Sequence, residues 1–180
     1  MGRQFFWTFT IAFLSLMKAE ANPIEEQDSM PTPFGIENLL FYVQRTPNTN
    51  TIVYSLNIKN GVLQDNNPVH IFWIRYADKG EHRELNFIQR KFAYGLTTKK
   101  TDKDRYELRF VSYDSFPLLL KKGTDGQFRV FTKIKGTDAI LQRIYIKING
   151  GTFWYPNVVY IELKGNDATT GATVIERIKP

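Results

Sequence analysis

Along most of the chain, apolar and polar residues alternate in short runs broken by turn-forming residues. This is the period-2 signature of strands that bury one face. The clearest run covers residues 51–58, where Ile52, Tyr54, Leu56 and Ile58 point one way. A strand over residues 39–45 precedes it and is broken by Pro47-Asn48, and Asn60-Gly61 is a tight-turn pair. Further strands are predicted over residues 106–113, 116–120, 127–135, 139–148, 158–163 and 173–178, separated by Gly-rich turns and a longer loop over 165–171.

Two segments depart from alternation. Residues 69–76 are almost continuously apolar, so they read as a central strand buried on both faces. Residues 81–94 place Leu85, Ile88 and Phe92 at helical spacing, and Gly95 sits where helices commonly end. A helix there would cover one face of the sheet. Residues 97–104, rich in Lys and Thr, read as a polar loop. About nine strands and one α-helix joined by short turns predict a mostly-β fold, either an antiparallel β-sandwich or a partly closed β-barrel, over residues 37–180. An outer-membrane barrel fits less well. The turns are uniformly short, charges fall mid-strand on both faces, and the chain ends in Lys179-Pro180 rather than an aromatic strand.

The N-terminus changes the picture. Arg3 precedes an uncharged apolar run over residues 5–17, and Lys18-Ala19-Glu20-Ala21 carries the small residues of an A-x-A site. This predicts a signal peptide cut after Ala21. The run falls short of the roughly 20 apolar residues a membrane span needs, so no stable membrane insertion is expected after cleavage. Residues 22–36, with Pro23, Pro31 and Pro33 among acidic residues, read as a flexible linker. The expected location is periplasmic or secreted. The chain has no cysteine, which excludes disulfides and a cysteine-linked lipid anchor, and it has no Asn-x-Ser/Thr sequon. These absences suit a bacterial protein. The formal charge is +6, and removing the signal segment's net +1 leaves +5. Such a charge bears on solubility before any partner, and export argues against nucleic acid.

The chemistry that can be sought in the chain is sparse. Both histidines, His70 and His82, lie outside any H-E-x-x-H spacing, so no metal site is expected. No serine sits in a G-x-S-x-G elbow. Carboxylates offer pairs, Asp102 with Asp104 and Glu162 with Glu176, but each has a basic neighbour. Gly150-Gly151 lacks the Lys and Ser/Thr of a phosphate loop, and no cofactor is expected.

What remains is Trp73 and Arg75, two apart and therefore on one strand face with Val69 and Ile71. An arginine there is costly to bury unpaired, so it reaches solvent, a carboxylate or a ligand anion. Gln89 and Tyr94 would add polar groups nearby, giving a candidate ligand site of Trp73, Arg75, Gln89 and Tyr94. Phe153-Trp154-Tyr155-Pro156 breaks the alternation and reads as an exposed aromatic loop.

Pro68-Val69-His70-Ile71-Phe72-Trp73-Ile74-Arg75-Tyr76 with Ile88-Gln89-Arg90-Lys91-Phe92-Ala93-Tyr94-Gly95 resembles a bacterial exported family catalogued only as a domain of unknown function. Tyr160-Ile161-Glu162-Leu163-Lys164-Gly165, Gly171 and Glu176-Arg177-Ile178 are similar too. The resemblance implies export and one domain, and it carries no functional residues. The expectation is a non-catalytic exported module that binds an apolar or amphipathic small molecule, or an envelope partner. The alternative is a hydrolase acting on envelope glycans or lipids. Oligomeric state is not readable from the sequence.

Overall fold

A computed structural model describes residues 30–152 and 155–179. The signal segment, the cut after Ala21 and the Phe153-Trp154 pair lie outside the described residues. The fold is mostly β. Its strands are β1 (Leu39–Arg45), β2 (Asn48–Leu56), β3 (Ile58–Lys59), β4 (Val62–Leu63), β5 (Val69–Arg75), β6 (Glu81–Glu84), β7 (Leu96–Asp102), β8 (Arg105–Phe110), β9 (Tyr113–Lys122), β10 (Phe128–Ile134), β11 (Thr137–Gly151), β12 (Pro156–Asp167) and β13 (Thr173–Ile178). The α-helix is α1 (Phe87–Phe92).

Eleven strands form one curled sheet, and β3–β4 is a separate hairpin. The hub is the long strand β11. Along one edge it pairs with β12, which in turn pairs with β13. Along the other edge it changes partner. Residues 137–140 pair with β10, and residues 143–146 pair with β1, in parallel. Two arms, β10-β9-β8-β7 and β1-β2-β5-β6, therefore leave the same edge of one strand. They fold toward each other into a half-barrel. Phe41 of β1 stacks on Tyr54 of β2 at 4.3 Å, and Phe110 of β8 meets both rings edge-on at 6.2 and 5.8 Å. The core between the arms is the set of alternating positions the pattern picks out, including Val43, Ile52, Ile71, Leu108, Leu118, Leu120, Val130 and Leu141.

Three expectations need correcting. The helix expected over residues 81–94 is a strand followed by a single six-residue helix. Asp78-Lys79-Gly80 turns the chain, with Lys79 and Gly80 at positive φ, and β6 then pairs with β5 so that Glu81 faces Arg75. The helix begins only at Asn86, whose side chain caps the Gln89 N–H while the Gln89 side chain returns to the Asn86 N–H. It covers no sheet face: none of its residues is buried, and Phe87 is 72% exposed. Residues 69–75 are buried on both faces for a different reason. Ile36 packs on Val53, Phe72 and Ile74 from the outer side. Met30 and Pro33 are also buried, and Gln44 donates to the Pro31 carbonyl at 2.8 Å. β5 is next to the edge strand β6 rather than central. Finally, the Lys-rich segment expected as a loop is the edge strand β7, where Lys99 faces Glu107 and Lys100 faces Tyr106. Lysines on an edge strand discourage pairing with other chains.

Candidate functional site

Side chains do not fill the whole space between the two arms. A cavity of about 100 Å³ remains. Ile144 and Ile146 of β11 and Ile161 and Leu163 of β12 line it from the hub. Val43 and Tyr54 line it from one arm, and Phe110 and Phe116 from the other. Ala93 and Tyr94, just after α1, close over it beside Ser112 and Tyr113. The lining is almost wholly apolar. An apolar cavity of about 150 Å³ accommodates benzene, and whole drug-sized ligands need about 300 Å³ or more. This cavity therefore has the size of a short aliphatic end group, not of a whole carrier ligand.

The closing segment is tied down from three sides. Tyr54, fully buried, donates its hydroxyl to the Tyr94 carbonyl at 2.9 Å. Ser112 donates to the Ala93 carbonyl at 2.7 Å. The Trp73 indole N–H donates to Gln89 Oε1 at 3.3 Å, and its ring meets Tyr94 edge-on at 5.3 Å. Gly95 is required here, because a Cβ would lie 1.9 Å from the Arg90 carbonyl oxygen. Burial pushes the Tyr54 phenol well above its ordinary range, and the nearby Tyr94 adds to this. The Tyr94 phenol is also raised, chiefly by burial, while the charge and hydrogen bond of Arg45 pull the other way.

The four residues singled out in the sequence divide between two places. Trp73, Arg75 and Gln89 border an open depression of about 390 Å³ together with Asn50, Arg83, Glu84 and Asn86. Tyr94 stands behind Trp73 and faces the cavity. Arg75 is paired with Asp78 and lies 3.7 Å from Glu81, so carboxylates already meet its charge. The arginine next to the cavity is Arg45. It continues the inward positions Phe41 and Val43, and its guanidinium lies 5.9 Å from the Tyr94 ring centre. Its Nε is buried and has no hydrogen-bond partner among the described residues. The signal was available, since Arg45 breaks an apolar face at period 2 in the same way as Arg75.

His70 faces Ser55 across β5–β2, and its Nε2 lies 2.6 Å from Glu84 Oε1. The Ser55 hydroxyl makes no hydrogen bond to the imidazole. Glu162 pairs with Arg177 at 2.8 Å, while Glu176 accepts the Lys135 N–H. Being adjacent to Arg177 on β13, Glu176 points to the opposite sheet face from the Glu162–Arg177 pair. Tyr155 is 83% exposed, whereas its neighbours Phe153 and Trp154 lie outside the described residues.

No curated protein and no solved structure matches this chain. A family model matches residues 41–177, which takes in both arms, the hub strand and the cavity. The chain belongs to the family described as a domain of unknown function, DUF4833.

Proposed function

We propose that this protein is a non-catalytic exported module that binds an amphipathic small molecule. The apolar end enters the cavity beneath Ala93 and Tyr94, and the polar end meets Arg45. The observation that carries the reading is the pairing of an apolar cavity with the buried, unpartnered Nε–H of Arg45, whose guanidinium lies 5.9 Å from the ring centre of Tyr94 in the cavity wall. Such a donor keeps its full desolvation cost until something accepts from it. An anionic head group would do so while its aliphatic tail fills space that side chains leave empty.

The test is native mass spectrometry and thermal unfolding of the full chain with hexanoate, octanoate and decanoate, and with the corresponding alcohols. The carboxylates are expected to raise Tm more than the alcohols. Ile161→Trp, which fills the cavity from β12, is expected to abolish the shift without lowering the starting Tm. If no chain length shifts Tm, the small-molecule reading fails and an envelope partner becomes the better candidate.

The second reading, a hydrolase of envelope glycans or lipids, draws on the row Ser55, His70 and Glu84. Acid–base chemistry by that row needs the Ser55 hydroxyl within hydrogen-bond reach of the imidazole. Ester hydrolysis by the wild type that is lost in both Ser55→Ala and His70→Gln would support it. Activity that survives Ser55→Ala would remove it.

A further inference from the structure

A second concavity, about 810 Å³, lies on the outer face of β9, β10, β11 and β12. None of its lining residues borders the cavity between the arms. Its floor is a cross-strand row: Phe131 faces Ile140 across β10–β11, and Ile140 faces Asn166 across β11–β12. Lys121 faces Arg129 one step along β9–β10. Gln142 is the extra residue of a β-bulge, where Leu141 faces Gly165 and Arg143 faces Lys164. A bulge re-aims its side chain, and the Gln142 amide stands exposed at the side of the concavity.

The charges of this trough are unevenly committed. Asp125 is paired with Arg129 and also accepts from the Gln127 N–H. Asp167 accepts from the Thr169 and Thr170 N–H groups at 2.8 and 2.7 Å. Lys122 is paired with Asp104 at 2.7 Å. Lys121 has no carboxylate partner among the described residues. Its ammonium instead lies 4.6 Å over the Phe131 ring, which holds the charge above the trough floor. The side-chain amides of Gln142 and Asn166 make no hydrogen bond to a described residue. The trough thus offers an apolar strip, two open amides, one uncompensated ammonium and the Thr169 hydroxyl, while the Thr170 hydroxyl accepts from the Ala172 N–H.

We infer that this trough binds an acidic saccharide. The open amides and the Thr169 hydroxyl suit a ligand rich in hydroxyl groups, and Ile140, beside the covered Phe131 ring, suits the apolar face of a pyranose ring. The ammonium then meets a carboxylate or similar anionic substituent. A nucleic acid fits less well. It would call for a track of cations and free aromatic faces, whereas here one cation stands free and it already covers the Phe131 ring.

The test uses the full chain and isothermal titration with a short hyaluronan oligosaccharide, a neutral chito-oligosaccharide of the same length, and polyglutamate. Hyaluronan is expected to bind, with the neutral sugar about tenfold weaker, the scale of one charge-assisted contact. Lys121→Gln should weaken hyaluronan about tenfold and bring it level with the neutral sugar. The double variant Gln142→Ala, Asn166→Ala should weaken both sugars together. Ile161→Trp should change neither, which separates this site from the cavity. The three trough substitutions, Lys121→Gln, Gln142→Ala and Asn166→Ala, lie outside the core between the arms, and an unchanged Tm for the single and the double variant checks that they fold. No binding of hyaluronan to the wild type overturns the inference. So does polyglutamate binding as tight as hyaluronan, which would reduce the trough to a basic surface.

Discussion

Tyr54→Phe removes one oxygen atom from a side chain that is wholly buried. The ring keeps its stack on Phe41 and its edge contact with Phe110, so no cavity opens. What is lost is the hydrogen bond to the Tyr94 carbonyl, and that acceptor is left facing an apolar interior. A net hydrogen bond contributes about 0.5–1.5 kcal/mol, and stranding its buried partner raises the loss to about 1–3 kcal/mol. In a chain of this size each kcal/mol moves Tm by about 2–4 °C, so a drop of roughly 2–12 °C is expected. The contrast is Phe41→Ala, which empties a core position and should cost about 3–5 kcal/mol. Thermal unfolding gives the totals, and hydrogen exchange over residues 86–95 gives the location. Tyr54→Phe should speed exchange in that segment selectively, because the lost bond ties it to the sheet. An unchanged Tm together with unchanged exchange there would refute the claim that this bond holds the cavity closed.

Gly95→Ala should destabilise by about 1–3 kcal/mol, because its Cβ would meet the Arg90 carbonyl and force the end of α1 to shift; equilibrium denaturation measures it. Arg45→Met removes the guanidinium with its unsatisfied buried Nε, so Tm should hold or rise while the preference for octanoate over octanol disappears. The Asp65 carboxyl is held below its ordinary range by hydrogen bonds from Lys100 and Tyr106. A depressed acid contributes stability that is present above its unfolded value and lost as pH falls through the folded one. Protection against exchange over residues 57–68, taken relative to the intrinsic amide rate at each pH, should therefore fall toward acid pH, and Asp65→Asn should flatten that fall. The partner phenol, Tyr106, is pushed up to about 12 by burial and by Asp65. Its contribution is complete below the ordinary tyrosine range and is lost as pH rises through about 12, which absorbance titration of the phenol would detect.

Local alternation made most of the strands readable. Ile52, Tyr54 and Leu56 do share the inner face, and Leu118, Leu120, Val130 and Leu141 are core positions. The failures have physical reasons. Leu85, Ile88 and Phe92 fall at helical spacing, but only Leu85 is buried. Their spacing is an accident of a strand end joined to a short capped turn, and the better signals were Asp78-Lys79-Gly80 and the Asn86–Gln89 capping box. Lys99 and Lys100 looked like loop composition because an edge strand is solvated on its open side. Their partners, Glu107 and Tyr106, lie in a different strand and are invisible to a local window. The candidate site was half readable for the same reason. The argument that selected Arg75 applied equally to Arg45. Only the tertiary fold shows that Asp78 and Glu81 engage the first, whereas Tyr94 rather than a carboxylate meets the second.

The feature least accessible to sequence is the branching of the sheet, and it turns on one residue. A regular strand presents one edge to one partner along its length, and its faces alternate without interruption. β11 pairs with β10 up to Ile140 and with β1 from Arg143, and the bulge at Gln142 falls between the two partners. The extra residue adds local twist and shifts the alternation. Leu141 and Ile144 therefore both face the core, three positions apart rather than two. The arms on either side of the bulge enclose the space lined by Ile144, Ile146, Val43 and Phe110. On the outer face the same bulge projects the Gln142 amide into the trough. Both proposed binding surfaces thus derive from one register slip in the hub strand. The slip shows in the sequence only as the pair Gln142-Arg143 between Leu141 and Ile144, two polar residues where strict alternation would place one, and nothing local says that the chain changes partner there.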